Sequence, residues 1–146
     1  EPMRVLRDTV GETVQLGIPI GDEGVIIEQV ESTQMVRICV EIGLRFGLYN
    51  NAPGKVLLAF QPPQVRKKTI QRLNLEPLTC LLYGTDWGEA DEGIHCVAAP
   101  IFNRPNHLMA VVWTSAVAGR MPKARFGKVG IEVLKAATEI GRRLQA

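Results

Sequence analysis

Glu92-Gly93-Ile94-His95-Cys96-Val97-Ala98-Ala99-Pro100-Ile101-Phe102 carries scarcely a polar side chain after its opening turn. In a strand, alternate residues point to opposite faces, so a run apolar at both parities belongs to a central strand covered by other elements. Leu108 to Ser115 reads the same way, and Asn103-Arg104-Pro105-Asn106-His107 between them is dense in turn formers. Such a connection is too short for a crossover helix and implies an antiparallel pair.

Working outward, Met3 to Thr9 reads as the end of a helix that gives way to strand at Gly11. Thr13 to Ile18 and Gly24 to Val30 flank the turn cluster Gly21-Asp22-Glu23-Gly24, the signature of a hairpin, and a third strand is expected over Met35 to Val40. The period then changes. Val56, Leu57 and Phe60 share one side of a short helix that Gln61-Pro62-Pro63 ends. A second helix follows, with Val65, Ile70 and Leu73 expected inward and Arg66, Lys67, Lys68 and Arg72 outward as an ordinary solvated face. Near the C-terminus Pro122 suits a first helical turn, and Phe126, Val129, Val133, Ala137, Ile140 and Leu144 make one apolar stripe. Glu132 with Lys135 and Glu139 with Arg143 are spaced to pair outside it. Hairpins in place of crossover helices favour an antiparallel sheet with helices packed on it, α+β in class.

The composition narrows the function. A chain of 146 residues with 46% apolar residues is one domain able to bury a core, and residues 1-146 read as a single unit without repeats or low-complexity segments. Net charge of +2 gives no basic surface on the scale of a nucleic-acid or membrane binder, and no apolar run approaches a membrane span. Cys39, Cys80 and Cys96 form no C-x-x-C pair, which argues against a disulfide framework or structural zinc and makes a reduced, cytoplasmic protein the default. No cofactor is implied. An enzyme would have to combine Cys96 with His107 and Asp86, yet Cys96 lies mid-strand and His107 in the turn at the strand's far end. Glu89, Asp91 and Glu92 cluster, but two histidines without metal-ligand spacing supply no catalytic metal set.

Two stretches carry a family resemblance: Gly47-Leu48-Tyr49-Asn50-Asn51-Ala52-Pro53-Gly54-Lys55-Val56-Leu57-Leu58-Ala59-Phe60 and the Glu92 to Phe102 run. Together they resemble the effector-binding domain of IclR-type transcriptional regulators, and the likeness extends from Gly11-Glu12-Thr13-Val14 through Val30-Glu31-Ser32 to Ile140-Gly141-Arg142-Arg143-Leu144. The resemblance implies a GAF-like domain with a cavity over one face of the sheet. It also implies a small-molecule effector (an organic acid, a sugar acid or an aromatic metabolite) and assembly as a homodimer or homotetramer. DNA would be contacted only through an N-terminal winged helix-turn-helix domain absent from this chain. A GAF- or PAS-like sensor module of another signalling protein is the alternative. The family's ligand-facing positions match Ile38, Phe46, Ala52, Pro53, Asp86, Ile94, Cys96, Trp113 and Ser115. Parity agrees, since Ile94 with Cys96 and Trp113 with Ser115 each share a strand face, while His95 faces away as a structural histidine.

Each position also has a plainer reading: Cys96 as a small core residue, Asp86 as a solvated loop acid, Trp113 as core in either case. Three departures from the family pattern bear on the ligand. Tyr49 stands where many relatives carry histidine, Ala52-Pro53 stands for Gly-Ala, and Trp113 stands where some members have serine. Pro53 has no N–H to offer an anion at a helix start, so the ligand is expected to be other than a tiny oxo-acid and to have a flat or apolar part, or the pocket is partly closed. The resemblance further implies a helix after Leu78-Thr79, but Cys80-Leu81-Leu82 runs directly into Tyr83-Gly84, so residues are expected to be missing between Leu82 and Tyr83.

Overall fold

A computed structural model describes residues 1–74 and 82–145. Helix α1 (Pro2–Val10) leads into a 6-stranded sheet of order β3-β2-β1-β6-β5-β4, in which every neighbouring pair is antiparallel. Its strands are β1 (Thr13–Ile20), β2 (Glu23–Val30), β3 (Arg45–Gly47), β4 (Gly84–Trp87), β5 (Ile94–Arg104) and β6 (His107–Val117). Helices α2 (Ala52–Ala59) and α3 (Pro63–Leu73) follow β3, and α4 (Phe126–Gln145) closes the chain after a short 3-10 turn. The α+β class read from the sequence is the observed one.

The period-two alternation divides the interior. Val97, Ala99 and Ile101 of β5, with Val112 and Ala116 of β6 and Val14 of β1, face α1 and α4. Cys96 and Ala98 of β5, with Val111 and Trp113 of β6, face α2. The long helix can lie close on β5 because residue 141 is glycine: a Cβ there would stand 2.4 Å from the Phe102 carbonyl oxygen. Its outer face carries the Glu132–Lys135 and Glu139–Arg143 pairs at 2.8 and 2.7 Å, and Arg142 joins the second. Leu144, however, is exposed and lies outside the buried stripe.

Two further expectations fail for identifiable reasons. Met35 to Val40 is not a strand. The Gln29 side-chain amide takes both backbone groups of Val40, and the Thr13 hydroxyl donates to the Ile38 carbonyl, so side chains satisfy a backbone that the ladder would otherwise pair. The third strand forms later, over Arg45–Gly47, as an edge beside β2. In α3 Thr69 is buried and Ile70 packs against the core as expected, whereas Val65 and Leu73 are exposed. The basic residues of this helix do face outward, and Arg72 pairs with Asp22 at 2.7 Å.

Candidate functional site

Helix α2 starts where Asn51 caps it. The Asn51 Oδ1 accepts from Gly54 N at 2.7 Å, and its Nδ2 donates to the Gly47 carbonyl at 2.9 Å. Val56, Leu57 and Leu58 are fully buried, as expected of a helix apolar around most of its girth. Its other polar attachment is Lys55, which reaches the Thr85 carbonyl at 3.0 Å and Glu89 at 2.5 Å. Between the start of this helix, the sheet and the segment 38–47 lies a cavity of about 300 Å³, near the lower end for small-molecule sites.

Ile38, Phe46, Pro53, Asp86, Ile94, Cys96, Trp113 and Ser115 all line this cavity. Ala52 does not; it is fully buried beneath the helix start. The sheet register explains the convergence. Asp86 pairs with Cys96, Cys96 with Ser115, and Ser115 with Thr13, so one row crossing four strands points to the α2 face. Ile38 arrives from the irregular segment rather than from a strand.

The sequence reading missed Gln15, which is 2% exposed and sits at the hub of a polar chain. Ser115 Oγ donates to Gln15 Oε1 at 2.7 Å, which leaves the Cys96 thiol to donate to Ser115 Oγ at 3.3 Å. Gln15 Nε2 donates in turn to Gln29 Oε1 at 3.1 Å. A buried glutamine within an otherwise apolar strand was the available signal, since a buried amide must find partners. Ile26 was harder to foresee. Strict alternation puts Ile26 and Gln29 on opposite faces, but a bulge opposite Leu16 and Gly17 leaves Ile27 unpaired and turns both to the cavity side.

Trp113 and Phe46 form the apolar wall, their rings edge to face at 5.4 Å. The Phe46 ring passes close over Gly24, where a Cβ would come within 2.1 Å of it. Two acids, Asp86 and Asp91, also line the space. Asp86 Oδ1 accepts from Glu89 N at 2.7 Å and Gly88 N at 3.1 Å. Burial holds the Asp86 carboxyl above the usual aspartate range against the pull of these two bonds. The Cys96 thiol is pushed up to about 12, chiefly by burial, with the Ser115 hydrogen bond opposing. It is therefore a neutral thiol at physiological pH and a poor nucleophile.

The residues that a catalytic reading would join are apart. His107 Nδ1 bonds Asn103 Oδ1 at 2.6 Å in the β5–β6 turn, and His95 turns away as expected, its Nδ1 2.7 Å from the Met121 carbonyl. Among the described residues no group of three or more metal-ligating side chains comes together, and no helix is long and apolar enough to cross a membrane.

Comparison with known proteins agrees with this architecture. The chain matches the family described as "Bacterial transcriptional regulator IclR C-terminal" over residues 1–81 and 82–142. That break falls beside the expected gap at Leu82–Tyr83, at the edge of residues 75–81, which lie outside the described part of the structure. The chain is 30% identical over 156 residues to the HTH-type transcriptional regulator BhcR of Paracoccus denitrificans, covering 94% of this chain and 56% of that protein. It is 29% identical to the HTH-type transcriptional repressor AllR of Klebsiella pneumoniae, covering 97% of this chain and 59% of the other. The chain thus spans little more than half the length of these curated relatives. The crystal structure of Thermotoga maritima IclR superposes with a TM-score of 0.87 at 29% identity, over 99% of this chain and 66% of that one. The C-terminal domain of Escherichia coli KdgR gives a TM-score of 0.80 at 26% identity, over 99% of this chain and 94% of that domain. With its fold, its motifs and nearly its whole length accounted for in this way, the chain belongs to the IclR family of bacterial transcriptional regulators, as a C-terminal domain.

Proposed function

We propose that this domain is the effector sensor of its regulator, holding a small metabolite in the cavity between the sheet and the start of α2. The observation that carries the reading is the convergence of Asp86, Cys96, Ser115 and Trp113, from three strands, on one space with Phe46 and Pro53 at its rim. An apolar wall with a few placed polar groups is what small-molecule sites are made of. DNA contact belongs, in this reading, to the part of the relatives' length that this chain does not span, since both relatives are named as HTH-type regulators. The effector acts through its differential affinity for the DNA-competent and DNA-incompetent arrangements of the whole protein. Met35, Val36, Ile42 and Leu44, exposed on the segment that borders the cavity, offer an apolar surface for assembly into a homodimer or homotetramer. In this reading the domain works in the bacterial cytoplasm, where DNA and metabolites meet.

A thermal-shift screen of organic acids, sugar acids and aromatic metabolites tests the reading. A ligand at one hundred times its Kd stabilises the folded form by about 2.7 kcal/mol. The expected hits raise the Tm, change Trp113 fluorescence and lose affinity in Ser115→Ala. Hits that stabilise Ser115→Ala equally and leave Trp113 silent bind elsewhere and sink the assignment.

A further inference from the structure

The cation, the hydroxyl and the helix-start N–H groups that would receive an anion in this cavity are largely engaged elsewhere. At the opening of α2, where an anion would meet free N–H groups, Pro53 has none and the Gly54 N–H is already taken by Asn51. The Ser115 hydroxyl donates to Gln15, and the Asn51 amide donates to Gly47. Arg45 is the cation on the lining, and it pairs with Glu23 at 3.0 Å. Lys55 is held by Glu89 and the Thr85 carbonyl.

Acceptors are left over. Asp86 is 2% exposed, and its register opposite Cys96 turns it to the cavity face. Its Oδ1 serves Gly88 and Glu89, while Oδ2 has no hydrogen-bond partner among the described residues. Asp91 adds a second carboxylate to the same lining. A carboxylate ligand entering here would meet like charge, with no unpaired cation on the lining among the described residues to offset it. A donor on the ligand would instead give Oδ2 the charge-assisted bond it lacks.

We propose that the cavity takes an uncharged or cationic ligand, with a flat apolar body against Trp113 and Phe46 and a hydroxyl or ammonium group donating to Asp86, and that it excludes carboxylates. This rests on the effector reading above and names the chemistry of that same site.

Phenethylamine, phenethyl alcohol and phenylacetate form a matched series that differs only in the polar group. Their Kd values can be measured on the 146-residue chain by Trp113 fluorescence in a Trp87→Phe background and by thermal shift. The amine and the alcohol are expected to bind at least about tenfold more tightly than phenylacetate, with the order narrowed or reversed in Asp86→Asn. The Asn side chain retains an oxygen for the Gly88 and Glu89 N–H groups, and a Tm for the unliganded variant no lower than that of the wild type verifies its fold. Phenylacetate binding as tightly as the amine through Trp113, or a ranking indifferent to Asp86→Asn, overturns the proposal but leaves the effector cavity intact. Saturating concentrations of all three that leave Trp113 silent remove the cavity reading and this inference with it.

Discussion

The two faces of the sheet are built from the same strands, one residue out of step, and they do opposite things. Towards α1 and α4, Val97, Ala99, Ile101 and Val112 are completely buried in a continuous apolar layer with Met121 and Val133. Towards α2, their neighbours Cys96, Trp113 and Ser115 are also nearly inaccessible, yet they border a space of about 300 Å³ and carry a chain of polar contacts. The first face supplies cohesion through close packing. The second gives up part of that cohesion to keep a shaped, partly polar space, and it can do so because the first holds the strands in register.

If that division is right, truncating the packed face should hurt most. Ile101→Ala is expected to lose about 2–5 kcal/mol in urea unfolding, because the site has no slack to fill the hole. Ile38→Ala, on the cavity border, should lose under about 1 kcal/mol. Similar losses for the two would mean that the cavity face is packed like a core. Gly141→Ala sharpens the same contrast. Alanine is the better helix former, but its Cβ would press on the Phe102 carbonyl at 2.4 Å, so a net loss of about 1–3 kcal/mol is expected.

Next in size is the ion pair that ties the segment 31–40 to the sheet. Arg120 grips Glu12 with two bonds of 2.6 and 2.9 Å and also donates to the Val36 carbonyl at 2.8 Å. Glu12 is 2% exposed, so Arg120→Ala strands a buried carboxylate and should cost on the order of 2 kcal/mol. It should also speed amide hydrogen exchange over the segment that borders the cavity, while exchange in α4 stays slow. Ser115→Ala is milder. It leaves the Gln15 carbonyl without its donor and should lower stability by about 1 kcal/mol while weakening effector binding far more.

Much of this was legible in the chain because it followed from simple periods. The all-apolar run through Val97 and Ile101 marks a central strand, the stripe from Phe126 to Ala137 marks the long helix, and parity puts Ile94 with Cys96 and Trp113 with Ser115 and turns His95 away, while only the family resemblance joins the two pairs on one face. What escaped was set by side chains satisfying the backbone at a distance. Gln29 substitutes for a ladder partner at Val40, which no local pattern around Met35 announces. The bulge at Ile27 shifts the phase of β2 and brings Ile26 onto the cavity, and strict alternation cannot anticipate a residue left unpaired. Ala52 was assigned to the ligand by its place in a motif, whereas the turn of the helix buries it.

The smallest expected effect bears most directly on the open face. Burial raises the Asp86 pKa, so the folded state holds this proton more tightly than the unfolded chain does. The sign follows from linkage. Below the unfolded value the group has no effect. Stability then falls as the pH rises through the folded value, and the deficit persists at neutral pH. Glu139 works the other way. Arg142 and Arg143 hold it at about 2, so its contribution is present above the unfolded carboxylate range and is lost as the pH falls through that value. The difference between wild type and Asp86→Asn, rather than either curve alone, isolates the buried acid. Asp86→Asn should be slightly the more stable at pH 7, by about 3 °C in Tm or less, with the advantage vanishing towards pH 3. An advantage that instead grew as the pH fell would mean that the folded state favours the Asp86 carboxylate, as a partnered surface acid would be favoured, and the cavity would lose its unsatisfied acceptor.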